Sequence, residues 1–392
     1  MLRGEINMYQ IQTLNKISDK GLSLLGKDYD IKDQQDNPDA IIVRSTKMQG
    51  MELGDSLKAI ARAGAGTNNI PTDECTEKGI VVFNTPGANA NAVKELVVAG
   101  LLLSSRYIVE GINWAQTLTE DVAKAVESGK SQFQGPELSG KTIGVVGLGA
   151  IGVMVANAAH SLGMDVVGYD PYISVQAAWG LSRHINHAQS MEEVLASADY
   201  ITIHVPLMDE TKRMFNKSIF DKAKPGLRLL NFSRDGLVNN EDVKIAIEEG
   251  KVSCYVTDFP TDDLIGNDKI IAIPHLGAST PESEENCAVM ASNQVKDYLE
   301  NGNIVNSVNL PHCEMGWNTK WRLTFIHRNV PNMVGQITGM LAGEKINIVD
   351  MMNKSSGDWA YTMIDTSTAV GTKILSQLEK IEGIIKMRTL SK

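Results

Sequence analysis

The stretch "TIGVVGLGAIG" at residues 142–152 decides the fold. A strand-like run, "TIGVV", leads into Gly147, Leu148, Gly149, Ala150, Ile151 and Gly152, which spell GxGxxG, and a helix-like run, "AIGVMVANAAHS", follows. A strand, then a glycine turn, then a helix is the context that gives this spacing meaning. The first glycine allows the tight turn, the second lets backbone approach a pyrophosphate, and the third lets the helix pack on the strand. The helix start then offers amide donors and partial positive charge to phosphates. Eighteen residues past Gly152, Asp170 ends the next strand-like run, "VVGYD", where its carboxylate is expected to accept the ribose hydroxyls. No Arg or Lys follows Asp170 until Arg183, so nothing close by neutralises a 2′-phosphate, and NAD is favoured over NADP.

Downstream, "DVVGYD", "ADYITIHVPL", "LRLLNFSRDG", "SCYVTDFP" and "IIAIPHLG" complete a series of six strand-like runs, the number expected of a doubly wound nucleotide-binding domain. Upstream, "AIIVRS", "LKAIARAGAG", "KGIVVFNTPG" and "AVKELVVAGLLLSSR" alternate strand and helix patterns, which predicts a second parallel α/β sheet. After a helix-like run that starts at Pro281, residues 303–318 read as a polar linker. The last 70 or so residues then read strand, helix, strand, strand, helix, strand, the βαββαβ order of a ferredoxin-like domain.

A chain of 392 residues is too long for a single core. Its net charge of −10 supplies no basic stripe, which argues against nucleic acid and anionic membrane surfaces. Cys75, Cys254, Cys287 and Cys313 are far apart and form no CxxC pair, so neither a disulfide framework nor a metal site is expected. Residues 1–20 carry Glu5 and no apolar core of a leader, and "ELVVAGLLL" is too short to span a bilayer; a cytoplasmic location is the expectation. His184 and His187 are spaced HxxH but read as a solvent-facing loop, and His160 as a packing or surface residue.

Oxidising a 2-hydroxy acid needs a base, a cation for the carboxylate and developing carbonyl, and an acid that orients the base. The ends of the last strand-like runs offer His275 in "IPHLGAST", Arg234 in "NFSRDG", and Asp258, Asp262 and Asp263 in "TDFPTDD".

At these residues the sequence resembles the D-isomer-specific 2-hydroxyacid dehydrogenases: "IIVRSTK" and "RAGAGTNNI" are similar to substrate-domain motifs, "GLGAIG", "HVPL" and "NFSRDG" to the middle signatures, and "PHLGAST" to the catalytic-histidine motif. The resemblance implies that His275 is the acid/base, that Arg234 grips the substrate, and that Asp262 or Asp263 stands in for the glutamate of the family's "DVFxxEP". It places His204, Val205, Pro206, Phe232, Ser233, Asp258 and Gly277 beside the cofactor. Arg44, Ser45, Lys47 and Arg62 become the groups for a substrate phosphate, with the backbone of Ala65 and Gly66 around the carboxylate. The implied domains are 1–103 with 281–312 for substrate, 104–280 for NAD, and 319–392 resembling an ACT domain. Two Rossmann-like domains closing on one another, plus that tail, make up the implied α/β fold.

The implied activity is NAD-dependent oxidation of 3-phosphoglycerate to 3-phosphohydroxypyruvate, the first step toward L-serine, by a homodimer or homotetramer. His327, Asn329 and Asn347 match ACT positions that bind L-serine, although Val330, Pro331 and Asn332 stand where the family has "RPG". Two alternatives stay open: the same chemistry on another D-2-hydroxyacid such as 2-hydroxyglutarate, and an NAD-responsive corepressor-like binding protein.

Overall fold

The computed structural model describes residues 8–392, so Glu5 and its neighbours lie outside the described residues. By packing, the chain forms two compact units, one made of the stretch up to Ala88 with everything from Glu284 onward, the other of Asn89–Ser283.

The first unit opens with β1 (Tyr9–Leu14), β2 (Tyr29–Lys32), β3 (Ala40–Val43), β4 (Ala59–Arg62) and β5 (Val81–Phe83). They form a parallel sheet in the order β2-β1-β3-β4-β5. Every residue of β3 and β5 is buried, as expected of parallel strands covered on both faces, which therefore read as continuous apolar runs. β1 and β2 are not among the expected strands: only Ile11 of "YQIQTL" and Tyr29 of "YDIK" are fully buried, so the apolar signal is thin there. Strand order reverses between β1 and β3, and the loops leaving those two strands at such a switch point frame a crevice.

The second unit holds β6 (Thr142–Val146), β7 (Asp165–Tyr169), β8 (Asn186–His187), β9 (Tyr200–Ile203), β10 (Leu227–Asn231), β11 (Val252–Thr257) and β12 (Ile270–Ala272). The sheet is parallel, in the order β12-β11-β10-β9-β6-β7-β8. All six expected runs are strands, and β8 is an addition. His187 thus lies on a short edge strand rather than in a loop, exposed, while the ring of His184 stacks on His160 at 5.2 Å.

The boundary between the units also differs from the expected 103/104. The helix Ala90–Arg106 buries Val93, Val97 and Leu101 in the same cluster as Val145, Val155 and Val166, so its apolar face belongs to the dinucleotide unit.

Back in the first unit, β13 (Trp321–Arg328), β14 (Ile348–Ser356), β15 (Trp359–Thr366) and β16 (Ile384–Ser391) make an antiparallel sheet in the order β14-β15-β13-β16. With the helices Met333–Gly343 and Thr372–Leu378 this is the expected βαββαβ order. The helices cover one face, where Leu323, Phe325, Ile337, Leu341 and Leu378 pack. Ile326, Tyr361 and Met363 on the sheet join the core of Ile11, Ile42, Phe83 and Tyr298, which makes the tail part of the first unit.

Residues 303–318 are correspondingly not a free linker. Ile304, Leu310, Cys313 and Met315 are buried, Ile304 pairs with Cys313, and Asn309 bonds to Val82 and Ile80 of the parallel sheet region. Asn303 and Asn309 satisfy backbone groups, while Asn306, His312, Glu314 and Asn318 face solvent, so the polarity of the segment reflects both roles. Among the described residues, no helix is long and apolar enough to cross a membrane.

Candidate active site

In the dinucleotide unit, the strand ends carry the residues expected to hold the cofactor. Gly147 sits at φ +92°, and a Cβ there would lie 2.6 Å from the His204 carbonyl oxygen; at Gly152 it would lie 1.9 Å from that of Gly147. Both positions therefore exclude any side chain. Gly149 is different, because nothing lies within 4 Å of where its Cβ would be, and it leads into the helix Ala150–Ser161 with no side chain capping the first amides. An open cradle at an uncapped helix start suits a pyrophosphate.

Asp170 Oδ2 accepts from the Leu148 amide at 2.9 Å and Oδ1 from Tyr172 at 2.8 Å. Backbone amides thus hold the carboxylate beside the glycine turn. Its oxygens keep further lone pairs for hydroxyl donors.

His204 directly follows β9, with Nε2 on Thr202 Oγ1 at 2.9 Å while Nδ1 is buried without a partner. Burial pushes this imidazole down to about 3, so it is neutral. Ser233 Oγ donates to the Val205 carbonyl at 2.7 Å, joining the loops after β9 and β10. Pro206 lies exposed on the first of these, and its carbonyl accepts from Thr211. Phe232 is buried, close enough to Gly100 that a Cβ there would meet its ring at 3.0 Å.

The chemistry-bearing residues leave neighbouring strands. Thr257 pairs with Ala272, so Asp258 and the segment carrying His275 emerge side by side from β11 and β12. His275 is exposed and meets the Phe259 ring edge-on at 4.8 Å. Arg234 is exposed on the loop after β10, which the buried Asn231 pins by donating to the Arg234 carbonyl at 2.9 Å and accepting from Ser233 N.

Asp258 is 1% exposed, and neither carboxylate oxygen has a hydrogen-bond partner. Burial raises its pKa above the usual carboxylate range; His275 foremost, then the amide dipoles of Gly277 and of Asp258 itself, and Arg234, pull it back. Gly277 leaves room for this arrangement, since a Cβ there would lie 3.5 Å from Asp258 Oδ2.

The two aspartates expected to orient the imidazole do not reach it. Asp263 accepts from Thr261 Oγ1 at 2.6 Å and Asn240 Nδ2 at 3.3 Å, and pairs with Lys244 at 3.6 Å; the Thr261 hydrogen bond, first, holds its pKa below the usual range. Asp262 makes no ion pair among the described residues. The Asp263 side chain, one methylene shorter than glutamate, is taken up by Thr261 of its own loop and by Asn240 and Lys244 of the helix Asn240–Glu248. The carboxylate whose field meets His275 is Asp258.

In the other unit, the loops after β1, β3, β4 and β5 carry the substrate candidates. Asn15 Oδ1 accepts from three consecutive amides, Arg44, Ser45 and Thr46, at 3.3, 2.9 and 2.9 Å. Arg62 Nε donates to the Arg44 carbonyl at 3.0 Å, and its Nη1 donates to the Gly66 carbonyl. A Cβ at Gly66 would lie 2.9 Å from that Nη1, so the glycine lets the guanidinium lie close against the turn. Asn84 donates to the Ala65 carbonyl at 2.6 Å, and Asn69 to the Thr46 carbonyl at 2.8 Å. Ser45 and Lys47 are exposed. Arg44 reaches Glu284 at 2.6 Å. Sequence reasoning passes over Asn15, Asn69, Asn84, Asn231 and Glu284, because single polar residues in loops carry no spacing signal.

His327 of the tail is 2% exposed, and its ring nitrogens bond to the Arg328 carbonyl and to Thr362 Oγ1, both at 2.8 Å. Asn329 donates to the Gly357 carbonyl at 3.0 Å, and Asn347 is exposed. Asn332 adopts the left-handed conformation (φ 64°) that a glycine would take, with its Oδ1 2.4 Å from the Cβ position of Gly335.

Residues 101–277 match the D-isomer specific 2-hydroxyacid dehydrogenase, NAD binding domain. The D-3-phosphoglycerate dehydrogenase of Bacillus subtilis is 34% identical over 323 residues, which cover 78% of this chain and 59% of that protein. The one from Methanocaldococcus jannaschii is 32% identical over 339 residues, 83% of this chain and 61% of that protein. The one from Haemophilus influenzae is 30% identical over 353 residues, 87% of this chain and 83% of that protein. Among solved structures, the NAD+-bound 3-phosphoglycerate dehydrogenase of Entamoeba histolytica aligns with a TM-score of 0.59 at 26% identity, covering 77% of this chain and 98% of that one. The chain belongs to the D-isomer-specific 2-hydroxyacid dehydrogenase family, and the cofactor of its dinucleotide unit is NAD. It spans about three fifths of the length of the Bacillus and Methanocaldococcus relatives.

Proposed function

We propose that this protein oxidises 3-phosphoglycerate to 3-phosphohydroxypyruvate, serving L-serine biosynthesis. The observation that carries the reading is the emergence, from neighbouring strand ends, of an exposed imidazole, His275, beside a buried and unpartnered carboxylate, Asp258, with Arg234 on the next loop. The glycine turn Gly147–Gly152 and Asp170 would hold NAD, which would supply the acceptor for the C2 hydride. His275 takes the C2 hydroxyl proton, Arg234 holds the carboxylate and the oxygen becoming a carbonyl, and Asp258 balances the imidazolium. The geometry favours Asp258 in this role over Asp262 or Asp263.

The substrate's distal phosphate is assigned to Arg44, Lys47 and Arg62, more cations than a simple 2-hydroxy acid needs. The same cations suit the second carboxylate of 2-hydroxyglutarate, which makes that acid the main rival. In this reading the tail is an ACT domain through which L-serine lowers activity in a homo-oligomer. Asn347 and Asn329 are the contacts assigned to the effector, and the internally bonded His327 shapes the turn.

Steady-state NADH formation from 3-phosphoglycerate, D-2-hydroxyglutarate and D-lactate, each with and without millimolar L-serine, tests the reading. Preference for the phosphorylated acid with suppression by serine is expected. A preference for either rival overturns the substrate assignment, and indifference to serine overturns the regulatory one.

A further inference from the structure

Arg44 is not waiting empty-handed. Its guanidinium Nη2 lies 2.6 Å from Glu284 Oε1, with side-chain exposures of 39% and 45%. Glu284 sits in the first turn of the helix Pro281–Asn301. The Arg44 backbone is meanwhile immobilised by Asn15, which takes its amide, and by Arg62, which donates to its carbonyl. The main chain is thus set in place while the side chain is latched to an acid.

We propose that Glu284 is a specificity-determining residue, which weakens the grip of Arg44 on the substrate's distal anion and so sets how strongly phosphorylated acids are preferred over acids with an uncharged end. The inference rests on the assignment of Arg44 to that anion. An incoming phosphate must share or displace the Glu284 carboxylate, and its own negative charge is repelled by that carboxylate. Coulomb energy scales with the product of the charges, so the penalty is largest for a phosphate, smaller for a carboxylate, and absent for a methyl group. The pair is half exposed, which limits its strength to that of a surface ion pair. Its influence is accordingly on relative affinity, leaving the proton and hydride steps alone.

The test uses the full chain and Glu284→Gln, which keeps size and hydrogen bonding while removing the charge. KM for 3-phosphoglycerate is expected to fall about 2- to 5-fold, the range of an exposed ion pair, with kcat unchanged. KM for D-2-hydroxyglutarate should fall less, and that for D-lactate should not move. In an Arg44→Met background the same substitution should do nothing. Calorimetric titration with inorganic phosphate gives a readout free of turnover, and tighter binding by Glu284→Gln is expected there. Unchanged or weaker phosphate binding, or an equal KM change for D-lactate, overturns the inference. If the wild-type chain turns over only D-2-hydroxyglutarate, the substrate assignment falls while the phosphate titration still scores Glu284.

Discussion

Arg322 and Asp365 form a two-pronged ion pair at 2.6 and 2.9 Å, with the arginine side chain 0% and the aspartate 1% exposed. Arg322 spends its remaining donors on the carbonyls of Asn301, Met315 and Gly316, and its guanidinium stacks 4.8 Å from the Trp317 ring. One side chain thereby joins the tail sheet to the end of the helix Pro281–Asn301 and to the segment after it. Replacing Arg322 with Met strands a buried carboxylate, so thermal or denaturant unfolding should show a loss of about 3–5 kcal/mol. A loss within the range of ordinary surface substitutions would mean that the tail is held by apolar packing alone.

His275→Ala should reduce kcat by about 10²–10⁴-fold, the contribution of a positioned acid/base. NAD affinity, read from quenching of protein fluorescence, should hardly change, because the glycine turn and Asp170 are untouched. Retained turnover would remove His275 from its role.

Asp258 gives a stability prediction whose sign follows from its raised pKa. Between the unfolded pKa and the higher folded one, the native state binds more protons, so stability falls as pH rises through that window. A carboxamide at this position cannot ionise and escapes the loss. Asp258→Asn should therefore be more stable than wild type at pH 7, with the gap closing as pH falls to the ordinary carboxylate range, about pH 4, where both states are protonated. Denaturant unfolding at the two pH values checks this, and the stabilised variant should have lost activity. A gap that is the same at both values would show that the carboxylate is not ionising in a buried site.

The glycines of the dinucleotide turn separate fold from binding. Gly152→Ala forces a methyl into the Gly147 carbonyl and should destabilise the unit by about 1–3 kcal/mol or more. Gly149→Ala meets no protein atom, so its melting temperature should stay put while NAD binding weakens. If Gly149→Ala bound NAD like the wild type, the pyrophosphate would have to lie elsewhere.

Much of this is legible in the chain. The run into Gly147, Gly149 and Gly152 identifies a strand, a turn and a helix, the close approaches at Gly147 and Gly152 admit only glycine, and the apolar runs after it mark the strands. β1 and β2 escape notice because most of their side chains are only partly buried. A boundary at 103/104 puts the helix Ala90–Arg106 with the wrong sheet, since an apolar face shows that a helix is buried without showing against what.

Local chemistry along the chain sets where most strands and turns fall and which residue types are available to take a proton or hold an anion. Folding alone sets which charges meet. Asp263 turned to Thr261 and Lys244, Asp258 was left buried without a partner beside His275, and Glu284 closed on Arg44 across 240 positions of chain. Charge pairing depends on distance in space and on local burial, and spacing along the chain encodes neither.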